Sequence, residues 1–182
     1  TRKMWYVISA SQMYIKGSAS KPVWKWKPSS SDAVIVDSGT NPNVIPASAL
    51  MPLVTYLQGV FKANGITLPA SFWPTADDKG GYATLTAAQI AVFPNILLDV
   101  ADASSPGKSF TLTMTPANYF QKTKDGTTFF GFEPGTGSLF ILGTVFMENY
   151  ITLHARGSGT GTTGDSTAQI GFYPSASACT GS

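Results

Sequence analysis

Short apolar alternations, separated by clusters of Gly, Pro and Ser, run along most of this chain. This pattern is typical of β-strands that bury one face and are joined by turns. The segments that predict strands are 4–15, 23–27, 33–36, 96–100, 110–114, 129–132, 139–142, 150–154 and 169–173. The sequence therefore predicts an all-β fold, made mainly of antiparallel sheets with a few short helices.

Two segments depart from the strand pattern and predict helices. Between residues 48 and 61 apolar side chains recur at three- and four-residue spacings, and Asn64-Gly65 supplies a stop signal. A shorter helix is predicted to start at Thr86, because Gln89 three positions later completes a capping box.

Composition and charge exclude several classes of function. The 182 residues are 43% hydrophobic and only 12% charged, with a net charge of +2, so the chain can bury a core but carries no basic surface for nucleic acid. No apolar run approaches the length of a membrane span. Cys179 and His154 are the only residues of their types, which excludes an internal disulfide and a Cys/His zinc site. We expect no metal and no cofactor, and a packed or half-exposed role for His154.

Two further segments have a simple interpretation. Residues 157–164 are nearly all Gly, Ser and Thr, which predicts a mobile hairpin insertion. The run Trp24-Lys25-Trp26-Lys27 is compatible with a platform for sugars or lipid headgroups. An amphipathic strand with both tryptophans packed beneath its sheet explains the run better.

The segment with the most chemistry is Asp37-Ser38-Gly39-Thr40, which directly follows the apolar run 33–36. A carboxylate between a buried strand and a glycine is presented at a sharp turn. The hydroxyls of Ser38 and Thr40 can donate to it, and the Gly39 amide can approach closely. The three residues Asp-Ser-Gly also favour a plain β-turn, so this motif alone is weak evidence.

A second apolar run strengthens the case. Residues 139–142 end on Gly143, about a hundred positions after the first run, and two buried strands that end on glycine can be neighbours. Taken together, the Asp37 motif and Ile141-Leu142-Gly143 resemble the C-terminal lobe of pepsin-like aspartic proteases. In that family each lobe has an Asp-Thr/Ser-Gly loop with a hydrophobic-hydrophobic-Gly element threaded beside it. Further segments resemble the family in order, namely 5–8, 93–96, 115–119, 145–150 and 169–172.

The resemblance implies an aspartic endopeptidase, in which two carboxylates share one proton and activate a water molecule. Asp37 would be one of these carboxylates. By the same resemblance, the Ser38 hydroxyl would belong to the hydrogen-bonded grip between two lobes, Gly39 would donate its amide to the carboxylates, and Thr40 would bond the outer oxygen of Asp37.

Residues beside the motif carry further implications of the resemblance. Ile35 and Asn41 would line the cleft for a peptide or protein substrate. The family has an acidic residue after Ile-Leu-Gly, where this chain has Thr144, which offers a helix N-cap. The loss of that carboxylate predicts a shifted working pH. The disulfide usual in the family is missing, and Cys179 is either free or paired with a partner chain.

The chain contains no second Asp-Thr/Ser-Gly and no flap hairpin with its tyrosine. We therefore interpret residues 1–182 as a single C-terminal catalytic lobe that needs an N-terminal lobe bearing the second Asp, from a separate chain or a missing segment. Homodimerisation in the retroviral manner is a weaker alternative. The alternative function is a catalytically inactive pepsin-like binding or inhibitor protein, or a structural protein. The resemblance also implies a secreted location or an acidic, lysosome-like vesicle.

Overall fold

The computed structural model describes residues 6–17, 22–29, 34–155 and 169–175, and strands predominate among them. The strands are β1 (Tyr6–Ile8), β2 (Ala10–Lys16), β3 (Pro22–Trp26), β4 (Val34–Val36), β5 (Asn43–Pro46), β6 (Tyr82–Ala83), β7 (Ile96–Ala101), β8 (Ser109–Met114), β9 (Phe120–Lys122), β10 (Thr128–Phe130), β11 (Phe132–Gly135), β12 (Phe140–Leu142), β13 (Tyr150–Ala155) and β14 (Gln169–Pro174). The helices are α1 (Ala47–Ala63), α2 (Ala87–Ile90), α3 (Pro116–Tyr119) and α4 (Thr144–Met147), with a 3-10 turn at Ala70–Phe72. The predicted all-β fold with a few short helices is confirmed.

The strands form sheets that meet around a shared apolar core. A five-stranded sheet has the order β1-β4-β12-β5-β11, and a four-stranded sheet has the order β3-β2-β7-β8. A three-stranded sheet, β6-β10-β9, and the two-stranded pair β13-β14 complete the described part of the chain. The predicted strands 96–100 and 110–114 pair as β7 and β8, in antiparallel register from Ile96 opposite Met114 to Ala101 opposite Ser109.

Two of the predicted strands were wrong as continuous elements. The segment 4–15 divides at Ser9, so that β1 pairs in the five-stranded sheet and β2 in the four-stranded sheet. The segment 129–132 divides at Gly131, which separates β10 from β11 and sends them to different sheets. At Gly131 an added Cβ would lie only 2.6 Å from Val145 Cγ1, so the chain needs glycine at this crossing. The alternating pattern continues through such a crossing, because alternation indicates which side chains are buried and does not indicate which sheet the strand joins.

The main predicted helix is confirmed as α1, which buries Leu50, Leu53 and Leu57 against the sheets. The predicted stop signal is also confirmed. Gly65 adopts a left-handed φ of 68°, and its N–H donates to the carbonyl of Lys62. The capping box of α2, between Thr86 and Gln89, is present as predicted. Among the described residues, none of the helices has both the length and the apolar character needed to cross a membrane.

The tryptophans of β3 pack inward, as the amphipathic interpretation predicts. Trp24 is buried and Trp26 half-buried, while Lys25 and Lys27 are exposed. The ring of Trp26 lies edge-on to Phe140 with centroids 5.2 Å apart. This alternation places the lysines on the outer side of the sheet, where they are solvated.

Residues near the end of the described chain join the pair β13-β14 to the rest of the fold. The Tyr150 hydroxyl accepts a hydrogen bond from the Thr113 N–H at 2.6 Å and donates to the Thr113 carbonyl at 2.9 Å. Burial raises the pKa of the Tyr150 phenol. His154 is half-buried and packs edge-on against Tyr6 at 4.3 Å, as expected for a packed histidine. The predicted insertion 157–164 and Cys179 lie outside the described residues.

Candidate active site

The two apolar runs that the sequence singled out lie side by side. Strand β4 runs parallel to β12, with Val36 opposite Leu142, so both strands end at the same side of the sheet. The Asp37 N–H donates to the Leu142 carbonyl at 3.0 Å, which continues the ladder by one further bond. The expectation that these strands are neighbours is confirmed. Asp37 and Gly143 therefore follow their strands at one common place.

The carboxylate of Asp37 is held by a separate donor on each oxygen. Oδ1 accepts the Gly39 N–H at 2.9 Å, and Oδ2 accepts the Thr40 hydroxyl at 2.8 Å. A Cβ on Gly39 would lie 3.2 Å from Oδ1, so glycine permits the close approach. The Ser38 hydroxyl is exposed and makes no hydrogen bond to this carboxylate in the described structure, so of the two hydroxyls that can donate to it only that of Thr40 does. Gly39 and Thr40 thus orient the half-buried Asp37 between them.

The loop after Asp37 wraps closely around Gly143. A Cβ on Gly143 would lie 2.2 Å from the Pro42 carbonyl oxygen, 2.6 Å from that of Thr40 and 2.7 Å from that of Asn41. All three distances are far below van der Waals contact, so only glycine fits. The Thr144 N–H then donates to the Thr40 carbonyl at 2.8 Å, which fastens the start of α4 to the loop.

Thr144 does not act as the predicted helix cap. Gly143 occupies the N-cap position of α4, and Thr144 is the first residue of the helix. Its hydroxyl instead donates to Asn41 Oδ1 at 2.7 Å and to the Asn41 carbonyl at 3.2 Å. The prediction was wrong because the close packing of Gly143 under the loop starts the helix one residue earlier. Thr144 therefore ties the helix to the side chain of Asn41.

The predicted cleft residues flank the loop as the sequence order requires. Ile35 is half-buried at the centre of β4, between Val7 of β1 and Ile141 of β12 in the register. Asn41 is exposed, and its side-chain oxygen is occupied by Thr144. Among the described residues, no group of three or more His, Cys, Asp or Glu side chains could hold a metal ion.

Asn43 is a residue of this site that the sequence reasoning missed. Its side chain is fully buried, and Oδ1 accepts the Gly143 N–H at 3.1 Å. Its own N–H donates to the Gly131 carbonyl at 2.9 Å. A signal was present in the sequence, since Asn43 shares one strand face with buried Ile45, where an amide is unexpected unless it is hydrogen-bonded.

The family to which the chain belongs follows from comparison with known proteins. The family model of eukaryotic aspartyl proteases matches residues 1–160. Because the match spans most of the 182 residues, the chain belongs to this family of pepsin-type hydrolases. The resemblance seen in the sequence and the pepsin-like lobe fold are thereby confirmed. A comparison with curated protein sequences gives no match.

Proposed function

We propose that this chain is the C-terminal lobe of an aspartic endopeptidase and that Asp37 is one of its two catalytic aspartates. The observation that carries the proposal is the geometry of the carboxylate. Each of its oxygens has one donor, Gly39 N–H or Thr40 hydroxyl, on a loop whose tip is exposed. Such a loop fixes the carboxylate in one orientation while leaving it accessible to a water molecule and a peptide.

The reaction needs a second carboxylate within a few ångströms, so that the two share one proton. The ionised carboxylate takes a proton from a water molecule, and the oxygen of that water attacks the carbonyl carbon of the peptide. The protonated partner donates a hydrogen bond to the developing oxyanion. The tetrahedral intermediate then collapses, and the C–N bond breaks as the carboxyl group that took the proton from water gives it to the leaving amine.

The second aspartate is proposed to come from an N-terminal lobe that faces this one, supplied by a separate chain or by residues outside this sequence. The described hydrogen bonds of the Asp37 carboxylate come only from its own loop, which is the arrangement expected of one half of a pair. The exposed hydroxyl of Ser38 is available for the grip between lobes. Ile35 and Asn41 are proposed to contact an extended peptide substrate.

Family membership also supports expectations about working conditions. We propose that the enzyme acts at acidic pH in a secreted or lysosome-like setting. The presence of Thr144 in place of the family's acidic residue is expected to shift the pH profile and to leave hydrolysis possible, because the reacting groups are unchanged.

The test is peptide hydrolysis between about pH 2 and pH 7, with protein that carries both lobes. Asp37→Asn keeps the shape of the side chain and removes its charge, and we expect loss of activity by at least about 1,000-fold. Asp77→Asn is the matched control, since Asp77 is an exposed aspartate at a different site, and it is expected to retain activity.

A pepstatin-type mimic of the tetrahedral intermediate supplies the second criterion. We expect it to inhibit the wild-type protein and the Asp77→Asn variant alike. Folded wild-type protein with both lobes and no hydrolysis would overturn the proposal and favour a catalytically inactive binding or structural protein. Full activity in Asp37→Asn would overturn the role of Asp37.

A further inference from the structure

One peptide unit, between Leu142 and Gly143, connects the buried side chain of Asn43 to Asp37. The carbonyl of this unit accepts the Asp37 N–H at 3.0 Å. Its N–H donates to Asn43 Oδ1 at 3.1 Å. Because a peptide unit is planar, its carbonyl and N–H directions turn together. A side chain that holds the N–H therefore also sets the direction of the carbonyl that Asp37 uses.

Asn43 lies in surroundings that favour an apolar residue, so the presence of an amide at this position needs an explanation. Asn43 is fully buried, and the contact of its Nδ2 with the sulfur of Met114, at 3.8 Å, is a weak one. Burial of a carboxamide is costly unless it is hydrogen-bonded. Gly143 is buried as well, and Asn43 is the only partner that its N–H has among the described residues, so loss of Asn43 would leave that N–H unpaired.

Asn43 lies on a strand that has a neighbouring strand on each side. Strand β5 lies between β12 and β11 in the five-stranded sheet, with Asn43 opposite Phe132. The Asn43 N–H donates to the Gly131 carbonyl at 2.9 Å. The position of the amide is thus set by the sheet and not by the exposed loop that precedes it.

We propose that Asn43 is a positioning residue for Asp37. It acts through the Leu142–Gly143 peptide unit, whose carbonyl accepts the Asp37 N–H. This hydrogen bond fixes the position of the Asp37 backbone, from which the carboxylate extends. Asn43 does not contact substrate. Its effect on hydrolysis rests on the proposed function, whereas its effect on the Asp37 amide does not.

The first test is Asn43→Leu, which keeps a similar volume and removes the acceptor. In protein with both lobes we expect kcat to fall about 10- to 100-fold, the range for one buried donor left unpaired near the reacting groups. KM is expected to stay within about twofold, because the lost bond orients the carboxylate and does not bind substrate. Hydrogen exchange of the Asp37 and Gly143 amides is expected to accelerate by about tenfold or more, while amides of α1 are unchanged.

Asn43→Asp tests rescue by a side chain of the same shape. At low pH its neutral carboxyl group keeps an oxygen that accepts the Gly143 N–H, so kcat is expected to recover to within about threefold of wild type. As the pH rises, ionisation would place an unpaired charge in a buried site that offers one amide and a thioether. Because this cost raises the pKa of the introduced carboxyl group, the group is expected to stay neutral and kcat to stay within about threefold of wild type across the acidic range.

Ile90→Ala is the control for general loss of stability, because Ile90 is buried on α2 and belongs to no part of the site described above. It is expected to lower the melting temperature and to leave kcat, KM and Asp37 amide exchange at wild-type values at a temperature where it stays folded.

The outcomes separate this proposal from the proposed function. Unchanged kcat and unchanged Asp37 exchange in Asn43→Leu would overturn the positioning role, as would an identical pattern of change in Ile90→Ala. If folded wild-type protein proves inactive, the proposed function fails. Faster Asp37 exchange in Asn43→Leu would still support the positioning role, and unchanged exchange would refute it.

Discussion

Replacement of Gly143 by alanine is the sharpest test of how the loop and α4 fit together. The backbone of Gly143 has φ −86° and ψ −168°, an extended conformation that any residue adopts, so the change introduces no backbone strain. The cost is steric. The new methyl group would lie 2.2 Å from the Pro42 carbonyl oxygen and under 3 Å from those of Thr40 and Asn41.

The magnitude follows from these distances. Carbon and carbonyl oxygen ordinarily approach to about 3.3 Å, so the loop must move by about 1 Å. Overpacking of this kind costs about 3 kcal/mol, the upper part of the usual range, because all three neighbours are backbone and cannot rotate away. For a domain of this size, that loss corresponds to a melting temperature lower by about 6 to 12 °C.

The assay is thermal unfolding followed by circular dichroism, with Gly59→Ala as the matched control. Gly59 lies exposed in α1, and a Cβ there would meet no atom within 4 Å. Alanine in a helix interior stabilises by about 0.5 to 1 kcal/mol relative to glycine, so this variant should melt slightly above wild type. A Gly143→Ala protein that melts within about 2 °C of wild type would show that the loop accommodates a Cβ at this position without the expected steric cost.

Two further changes test the connections outside the site. Tyr150→Phe removes a hydroxyl that makes two hydrogen bonds with Thr113, and urea unfolding should show a loss of about 1 to 3 kcal/mol. Burial raises the pKa of Tyr150, so the contribution of its neutral hydroxyl to the free energy of unfolding is complete below about pH 10 and is lost as the pH rises through the raised value. A wild-type stability that does not change in that alkaline range contradicts this assignment. Thr86→Ala removes the capping box with Gln89 and should cost about 1 kcal/mol by urea unfolding, with Thr86→Ser as the control that restores most of it.

Local signals in the sequence were reliable where one short segment determines its own structure. The periodic segment now seen as α1, with Asn64-Gly65 at its end, formed as predicted because helix stops depend on adjacent residues. The Asp37 loop was found for the same reason, since carboxylate, glycine and hydroxyl lie within four positions.

Errors arose where the chain passes from one sheet to another. The alternation through Ser9 and through Gly131 is continuous in the sequence, yet each segment divides between two sheets. Alternation shows which side of a strand is buried and does not identify the partner strand. Similarly, the N-cap of α4 moved from Thr144 to Gly143 because three loop carbonyls pack against that glycine.

The strand-rich fold class, the long helix and the residues of the Asp37 loop could be predicted from the sequence, because they depend on propensities and on contacts between near neighbours. The contact of the buried Asn43 side chain with the Gly143 N–H, across a hundred positions of chain, could be seen only in the folded structure. The same holds for the hydroxyl of Thr144, which donates to Asn41 and does not cap α4. Such choices depend on the direction of single polar groups in a packed interior, which no local pattern of residues specifies.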